Sequence, residues 1–248
     1  MTTSYVFVRS QDRSVGSSSA FSVTLPNPFR NVKAISLISA ELPFGNFNID
    51  VPYCQGVRFT YNGTPYDVSV SPGFYGVTDL QSLLLSNLQT AFPTAGISSV
   101  LFSAVTGRLS VVYSGGLTFT VASTALGNLG RIVGTDPLGT TSIASGGVLS
   151  LPFLVNLFPV STILMKIAEV PAMCVSTNNQ ACFARLQMAT TPGGVVMLNN
   201  ASGTVNTFAF ASQIVTLSSL TVSLWSPDNQ AINLHGCEWS FTLMIQTA

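Results

Sequence analysis

The stretch of residues 21–48 constrains the fold of this chain more than any other. Residues 21–25 alternate apolar and polar side chains, which is the pattern of a β-strand with one buried face. Pro26 and Pro28 have a fixed φ and no amide donor, so they predict that this strand ends at a corner. Residues 32–42 form a long apolar segment that is rich in Ile, Leu and Val. The stretch therefore predicts two strands that meet at the corner of a β-sandwich.

The chain has few charged residues, and this limits the functions that it can have. Only 7% of its residues are charged, against about 25% in ordinary soluble domains. An uncharged surface indicates burial against neighbouring subunits, whose interface centres are depleted in charge. Nine basic residues balance nine acidic ones without any basic cluster, so we expect no direct nucleic-acid binding.

The middle of the chain has a different sequence pattern, with signals for hairpins and one helix. Asn62-Gly63 lies between two alternating segments, which predicts a β-hairpin. Residues 77–92 predict a helix with Thr78 as its N-cap. Three short strands are expected next, with turns at Thr106-Gly107 and Gly115-Gly116. A Gly/Ser/Thr-rich linker or exposed loop is then expected at 135–147.

The expected fold class is mainly β. We predict a jelly-roll-like β-sandwich with an inserted small α+β module of hairpins and one helix. Residues 1–52 and 148–248 form the discontinuous sandwich, because the N-terminal strands are too few to close it, and residues 53–147 form the insert. Near the end of the chain, residues 215–225 and 238–246 are expected to pair as a closing hairpin.

We expect no catalytic, cofactor-binding or metal site, and hence no enzyme. His235 is a single histidine in a loop, without the partners that general-base catalysis needs. Trp225 and Trp239 lie on apolar strands, where core packing is favoured over stacking on sugars. The uncharged run 137–165 contains Pro152 and Pro159, so we expect no membrane span. The four cysteines show no zinc-ligand spacing and are interpreted as buried thiols, although their even number permits disulfides: Cys54, Cys174, Cys182 and Cys237.

Several short motifs resemble a known family. They match, in order, minor capsid and penton (vertex) proteins of large icosahedral DNA viruses of the double-jelly-roll lineage, which includes nucleocytoplasmic large DNA viruses and virophage-like relatives. This chain has Arg131 after its Leu-Gly segment, where an aromatic residue often follows in the family. The motifs are Leu25-Pro-Asn-Pro, Ile38-Ser-Ala-Glu-Leu-Pro, Ser71-Pro-Gly-Phe-Tyr before a leucine helix, Thr106-Gly-Arg-Leu-Ser-Val, Leu117-Thr-Phe-Thr-Val, Leu220-Thr-Val-Ser-Leu-Trp-Ser-Pro-Asp-Asn and His235-Gly-Cys-Glu-Trp-Ser-Phe-Thr-Leu.

The resemblance implies a virion structural protein without catalytic residues or cofactors. The expected role is the penton protein, a homo-oligomer (a pentamer) at the fivefold vertices. Its partners would be the major capsid protein and other minor capsid proteins, in a virion assembled in the host cell cytoplasm. The alternatives are a cement protein beneath the shell and, in another class, a carbohydrate-binding receptor-recognition module. The predicted contacts with neighbouring subunits are the proline corner, which contains Pro26 and Pro28, and residues 43–48.

Overall fold

The computed structural model describes residues 1–43, 49, 55–123, 129–135, 142–157, 161–171, 174–175, 180–188, 194–199 and 206–248. The fold is mainly β, built from antiparallel sheets and consistent with a β-sandwich of jelly-roll type, as predicted. The chain divides into two compact units, Met1–Asn46 with Val160–Ala248 and Phe47–Pro159. The strands are β1 (Thr2–Arg9), β2 (Val15–Gly16), β3 (Ala20–Pro43), β4 (Gln55–Tyr61), β5 (Thr64–Ser69), β6 (Ile97–Ser103), β7 (Arg108–Ser123), β8 (Ser142–Ser150), β9 (Thr162–Ile167), β10 (Cys174–Val175), β11 (Ala181–Cys182), β12 (Ala184–Gln187), β13 (Val195–Asn199), β14 (Asn206–Trp225) and β15 (Ser240–Thr247); the helices are α1 (Val77–Ala91) and α2 (Leu129–Val133).

The first unit is a sandwich in which two long strands belong to both layers. The N-terminal half of β3 pairs with β2 and with the C-terminal half of β14, which continues to β9 and β12. The C-terminal half of β3 pairs with β15, β13 and the start of β14, and β1 is added beyond β15. Buried residues of both halves form one core, in which the rings of Phe21 and Trp239 lie 6.1 Å apart.

The predicted strand break at Pro26 and Pro28 is wrong, because β3 continues through both prolines to Pro43. The ladder with β14 shifts register beside them, between the pairs Leu217–Phe29 and Ser219–Thr24. A bulge leaves backbone groups out of the ladder, so residues without an amide donor are tolerated there. Nearby, Asn31 has a φ of 52°. The corner is therefore a bend within one strand, of the kind by which strands change sheets.

The predicted closing hairpin is also wrong. β14 and β15 do not pair with each other, because β3 lies between them and pairs with both. Alternating side chains indicated correctly which face of each strand is buried, as for Leu220, Val222 and Leu243. The same pattern carries no information about which strand lies alongside.

The second unit is a five-stranded antiparallel sheet covered by α1. The predicted hairpin is confirmed, since β4 and β5 flank Asn62 and Gly63, both with positive φ. The helix is also confirmed and buries three leucines, at 80, 84 and 88. Two glutamine side chains of α1 donate hydrogen bonds to the backbone of the edge strand β6: Gln81 to Val100 at 2.9 Å and Gln89 to Ile97 at 2.9 Å.

Details of this unit differ from the prediction. The N-cap of α1 is Gly76 rather than Thr78, and the Asp79 carboxylate accepts a hydrogen bond from the Gly76 amide at 2.9 Å. Gly115-Gly116 is not a turn, because β7 runs through it with a register shift against β8. A Cβ at Gly115 would overlap the Tyr61 hydroxyl. The glycine therefore allows the Tyr61 side chain to approach the backbone of β7 closely.

The unit boundaries also differ from the expected ones at 52/53 and 147/148. Part of the predicted linker, from residue 142 onward, forms β8, and residues 148–150 of this strand pair with β7 in the second unit. The second unit thus extends to Pro159. Across the described ranges, no helix is both long and apolar enough to span a membrane.

Candidate interaction surface

The structure describes the surroundings of His235 and of two of the four cysteines. His235 is exposed in a turn with φ 50°, and its amide donates a hydrogen bond to Asn233 Oδ1 at 2.9 Å. Among the residues that the structure describes, no group of three or more His, Cys, Asp or Glu side chains could hold a metal ion. Cys182 is buried and Cys237 is half-buried, whereas Cys54 and the side chain of Cys174 lie outside the described part.

The two tryptophans are poorly placed for stacking on a sugar. Trp239 is 3% exposed, as predicted for a core residue, and its indole N–H donates to the Ser18 carbonyl at 2.7 Å. Trp225 is half-buried, and the Lys166 ammonium lies 4.5 Å from the centre of its ring. Its indole N–H donates to Ser223 Oγ at 2.9 Å. Their rings therefore contribute to packing within the first unit.

An exposed apolar face lies on the outer side of the first unit instead. Register aligns Arg9, Ser240, Glu41 and Met197 across four neighbouring strands, and directly paired residues point to the same side of a sheet. The residues between them in sequence, such as Phe241, point into the core. Large apolar side chains on this face are between 55% and 72% exposed: Tyr5, Phe7, Val195 and Met197.

A groove of about 290 Å³ opens on this face. Strands β1, β3, β13 and β15 each contribute to its walls. Most of its lining is apolar, with charges at its rim. We call it the β1–β13 groove, and its lining residues are Phe7, Arg9, Gln11, Glu41, Pro43, Val195, Glu238, Trp239 and Ser240.

A hydrogen-bonded network fixes one end of the groove. Buried Ser10 donates through its hydroxyl to Glu238 and accepts from the Trp239 amide at 2.9 Å. Arg13 donates to both carboxylate oxygens of Glu238, at 2.8 and 3.0 Å. The Ser10 hydroxyl and then the Arg13 guanidinium stabilise the ionised carboxylate and lower the pKa of Glu238. This end of the groove is therefore preorganised.

A second ion pair lies beside it. Arg9 donates to both carboxylate oxygens of Asp12, at 2.8 and 2.7 Å. The side-chain carboxylate of Glu41, in contrast, makes no hydrogen bond or ion pair with any residue that the structure describes. The rim of the groove thus carries one carboxylate without a partner inside the described chain.

The groove is not predictable from the sequence, because its residues come from four separate parts of the chain. The predicted contacts were the proline corner and residues 43–48. Pro43 lines the groove, and residues 44–48 lie outside the described ranges. Alternation within β1 was a usable signal, because it places Tyr5 and Phe7 on the same face of an edge strand.

The fold and this surface define a β-sandwich protein with an apolar groove on one sheet face. No protein-family model matches the chain, and no curated protein matches it. Among solved structures, the crystal structure of the selenomethionine-labelled mavirus penton protein has a distant resemblance. It is 10% identical in sequence with a TM-score of 0.46, and the match covers 100% of both chains.

Proposed function

We propose that this chain is a structural subunit of an icosahedral capsid, and specifically the penton protein that forms pentamers at fivefold vertices. The observation that carries this proposal is the outer face with the β1–β13 groove. Four large apolar side chains, those of Tyr5, Phe7, Val195 and Met197, are more than half exposed there. Large apolar side chains that are exposed together on one face of a sheet are a feature of protein-association sites.

The composition supports the same proposal. Charged residues make up 7% of the chain, and its charges sum to zero. Subunits packed on all sides do not need the charged surface that keeps a monomer soluble. The motifs that resemble minor capsid and penton proteins support an icosahedral capsid as the kind of assembly. The proposed partners are other copies of the chain, the major capsid protein and other minor capsid proteins, in a virion assembled in the host cytoplasm. No catalytic activity, cofactor or nucleic-acid contact belongs to the proposed role.

Two measurements test the proposal. Native mass spectrometry of the purified protein is expected to give a mass five times that of the 26.1 kDa chain. Cryo-electron microscopy of particles that contain the chain is expected to place it at the fivefold vertices. A stable monomer that is absent from particles would contradict the proposal, and a dimer beneath the shell would replace the penton role by that of a cement protein.

A glycan array tests the alternative from another class. Trp225 is the more accessible of the two tryptophans, so binding that Trp225→Ala abolishes without unfolding the protein would favour a carbohydrate-binding module. We expect no such binding, because Lys166 lies over the Trp225 ring.

A further inference from the structure

We propose that the β1–β13 groove of one subunit receives the proline corner of a second copy, so that copies join head to tail. The proline corner is the bent segment of β3 at residues 26–33. This contact deepens the proposed capsid role, on which it rests. It assigns an occupant to the groove and a partner surface to the corner.

The groove contributes exposed apolar surface and a negative charge. Phe7 and Val195 are 62% and 55% exposed on its walls. Of its charged side chains, Arg9 is paired with Asp12, and Glu238 is paired with Arg13. This leaves the exposed carboxylate of Glu41 as the charge at the rim that no described residue neutralises.

The corner contributes the complementary features. Pro26 and Pro28 are exposed, because the bulge of β3 lifts them out of the ladder with β14. Arg30 and Lys33 are also exposed, and neither makes an ion pair with a described residue. The Ala248 amide donates to the Asn31 carbonyl at 3.1 Å.

These two surfaces match in chemistry. Pro-rich segments are bound by grooves lined with aromatic side chains, and Phe7 supplies an aromatic side chain here. Opposite charges across an interface fix its register and exclude wrong partners. Glu41 in the groove and the two cations of the corner, Arg30 and Lys33, provide this pairing in a chain with few charges.

The two surfaces cannot meet within one subunit. Arg30 and Glu41 lie towards opposite ends of the C-terminal half of β3, about 36 Å apart at about 3.3 Å per residue. A contact between two different patches of identical chains is heterologous, and it generates a closed ring when its rotation closes. Such a ring is the arrangement that a penton requires.

Charge exchange tests the contact on the full chain. We expect Glu41→Lys alone, or Arg30→Glu with Lys33→Glu, to raise the dissociation constant of the oligomer by about tenfold or more, since each places like charges across the interface. A chain carrying all three changes restores opposite charges at every contact. We expect its dissociation constant to return to within about threefold of wild type.

Arg185→Glu is the matched control. Arg185 is an exposed arginine of the first unit that makes no ion pair with a described residue, and it lies outside both surfaces. We expect this variant to assemble as wild type does. Sedimentation velocity measures assembly, circular dichroism verifies the fold, and incorporation into particles is scored for the same variants, so that the test is decisive even when the purified chain is monomeric.

The outcomes separate this contact from the capsid role. Wild-type assembly that neither charge reversal weakens, or that the combined chain fails to recover, would overturn the contact and leave the capsid role standing. A wild-type chain that neither assembles nor enters particles would overturn both. Recovery in the combined chain, with an unaffected Arg185→Glu control, would establish the contact.

Discussion

The first unit joins strands from both ends of the chain, whereas every strand of the second unit lies within residues 47–159. In the first unit, β3 pairs with β14 and β15, nearly two hundred residues later in sequence. In the second unit, β4 pairs with β5 across a two-residue turn. Local contacts cost little loop-closure entropy, so we expect folding of the second unit to depend least on the remainder of the chain.

Fragments should show the largest difference between the units. We propose that both units are folding domains, and we expect residues 47–159 to fold alone, because all the buried residues of their core lie within that range. Residues 160–248 alone should remain unfolded, because β14 and β15 lack the strand between them. Near-ultraviolet circular dichroism and thermal melting measure both outcomes. A non-cooperative melt of the 47–159 fragment would refute its independence.

Core truncations should separate the units in the full chain. Leu84 in α1 and Leu243 in β15 are each at most 1% exposed and belong to different cores. We expect Leu84→Ala and Leu243→Ala each to cost about 3 kcal/mol, through lost burial and a residual cavity. Each substitution should lower only the unfolding transition of its own unit, as measured by calorimetry.

The control for these truncations is Val105→Ala. Val105 is 97% exposed in the second unit, so its truncation should change the free energy of unfolding by less than about 0.5 kcal/mol. A single transition that either leucine variant shifts as a whole would contradict the separation of the units, because it would mean that the two cores unfold together.

The same contrast explains which parts of the fold could be predicted. The hairpin at Asn62 and the helix were predictable because turn geometry and 3.6-residue periodicity act between near neighbours. The pairing of β14 and β15 with β3 was not, since alternation determines the buried face and leaves the neighbour undetermined. Pro26 and Pro28 were interpreted as a strand end because a bulge, which tolerates prolines, depends on the register of the partner strand.

The candidate surface was predictable only in part. Burial of Trp239 followed from its alternating apolar strand. The extensive association that the low charge content predicts stays a prediction. The groove was not predictable, because Phe7, Glu41, Val195 and Glu238 meet only through long-range pairing of β1, β13 and β15 with β3 or with one another.

A glycine pair should reveal how tightly the local unit is packed. A Cβ at Gly115 would overlap the Tyr61 hydroxyl and lie 2.9 Å from the Ala95 carbonyl, whereas one at Gly116 would meet nothing within 4 Å. We expect Gly115→Ala to destabilise the second unit by about 1–3 kcal/mol through overpacking. Gly116→Ala should change it by less than about 0.5 kcal/mol. Chemical denaturation measures both, and equal effects would refute the close approach.

The smallest expected effects concern one ion pair in each unit. In the second, Arg58 donates to both carboxylate oxygens of Asp67 at 2.6 Å, and this hydrogen bonding lowers the pKa of Asp67. Both side chains are about half exposed, so solvent screens the pair. Asp67→Asn should therefore change the stability of the second unit by at most about 0.5 kcal/mol.

Glu238 should contribute more to stability, because the hydroxyl of the buried Ser10 and the guanidinium of Arg13 both donate hydrogen bonds to its carboxylate. Its pKa lies below the unfolded value, so ionised Glu238 stabilises the first unit above the unfolded pKa, and this contribution disappears as pH falls through the folded pKa. Because the Glu238 side chain is 35% exposed, solvent screens part of this interaction, and we expect Glu238→Gln to cost about 0.5 kcal/mol near pH 7 and almost nothing at low pH. Urea denaturation as a function of pH measures the difference. A cost that persists unchanged in acid would show that packing against Ser10, rather than the charge of Glu238, stabilises this end of the groove.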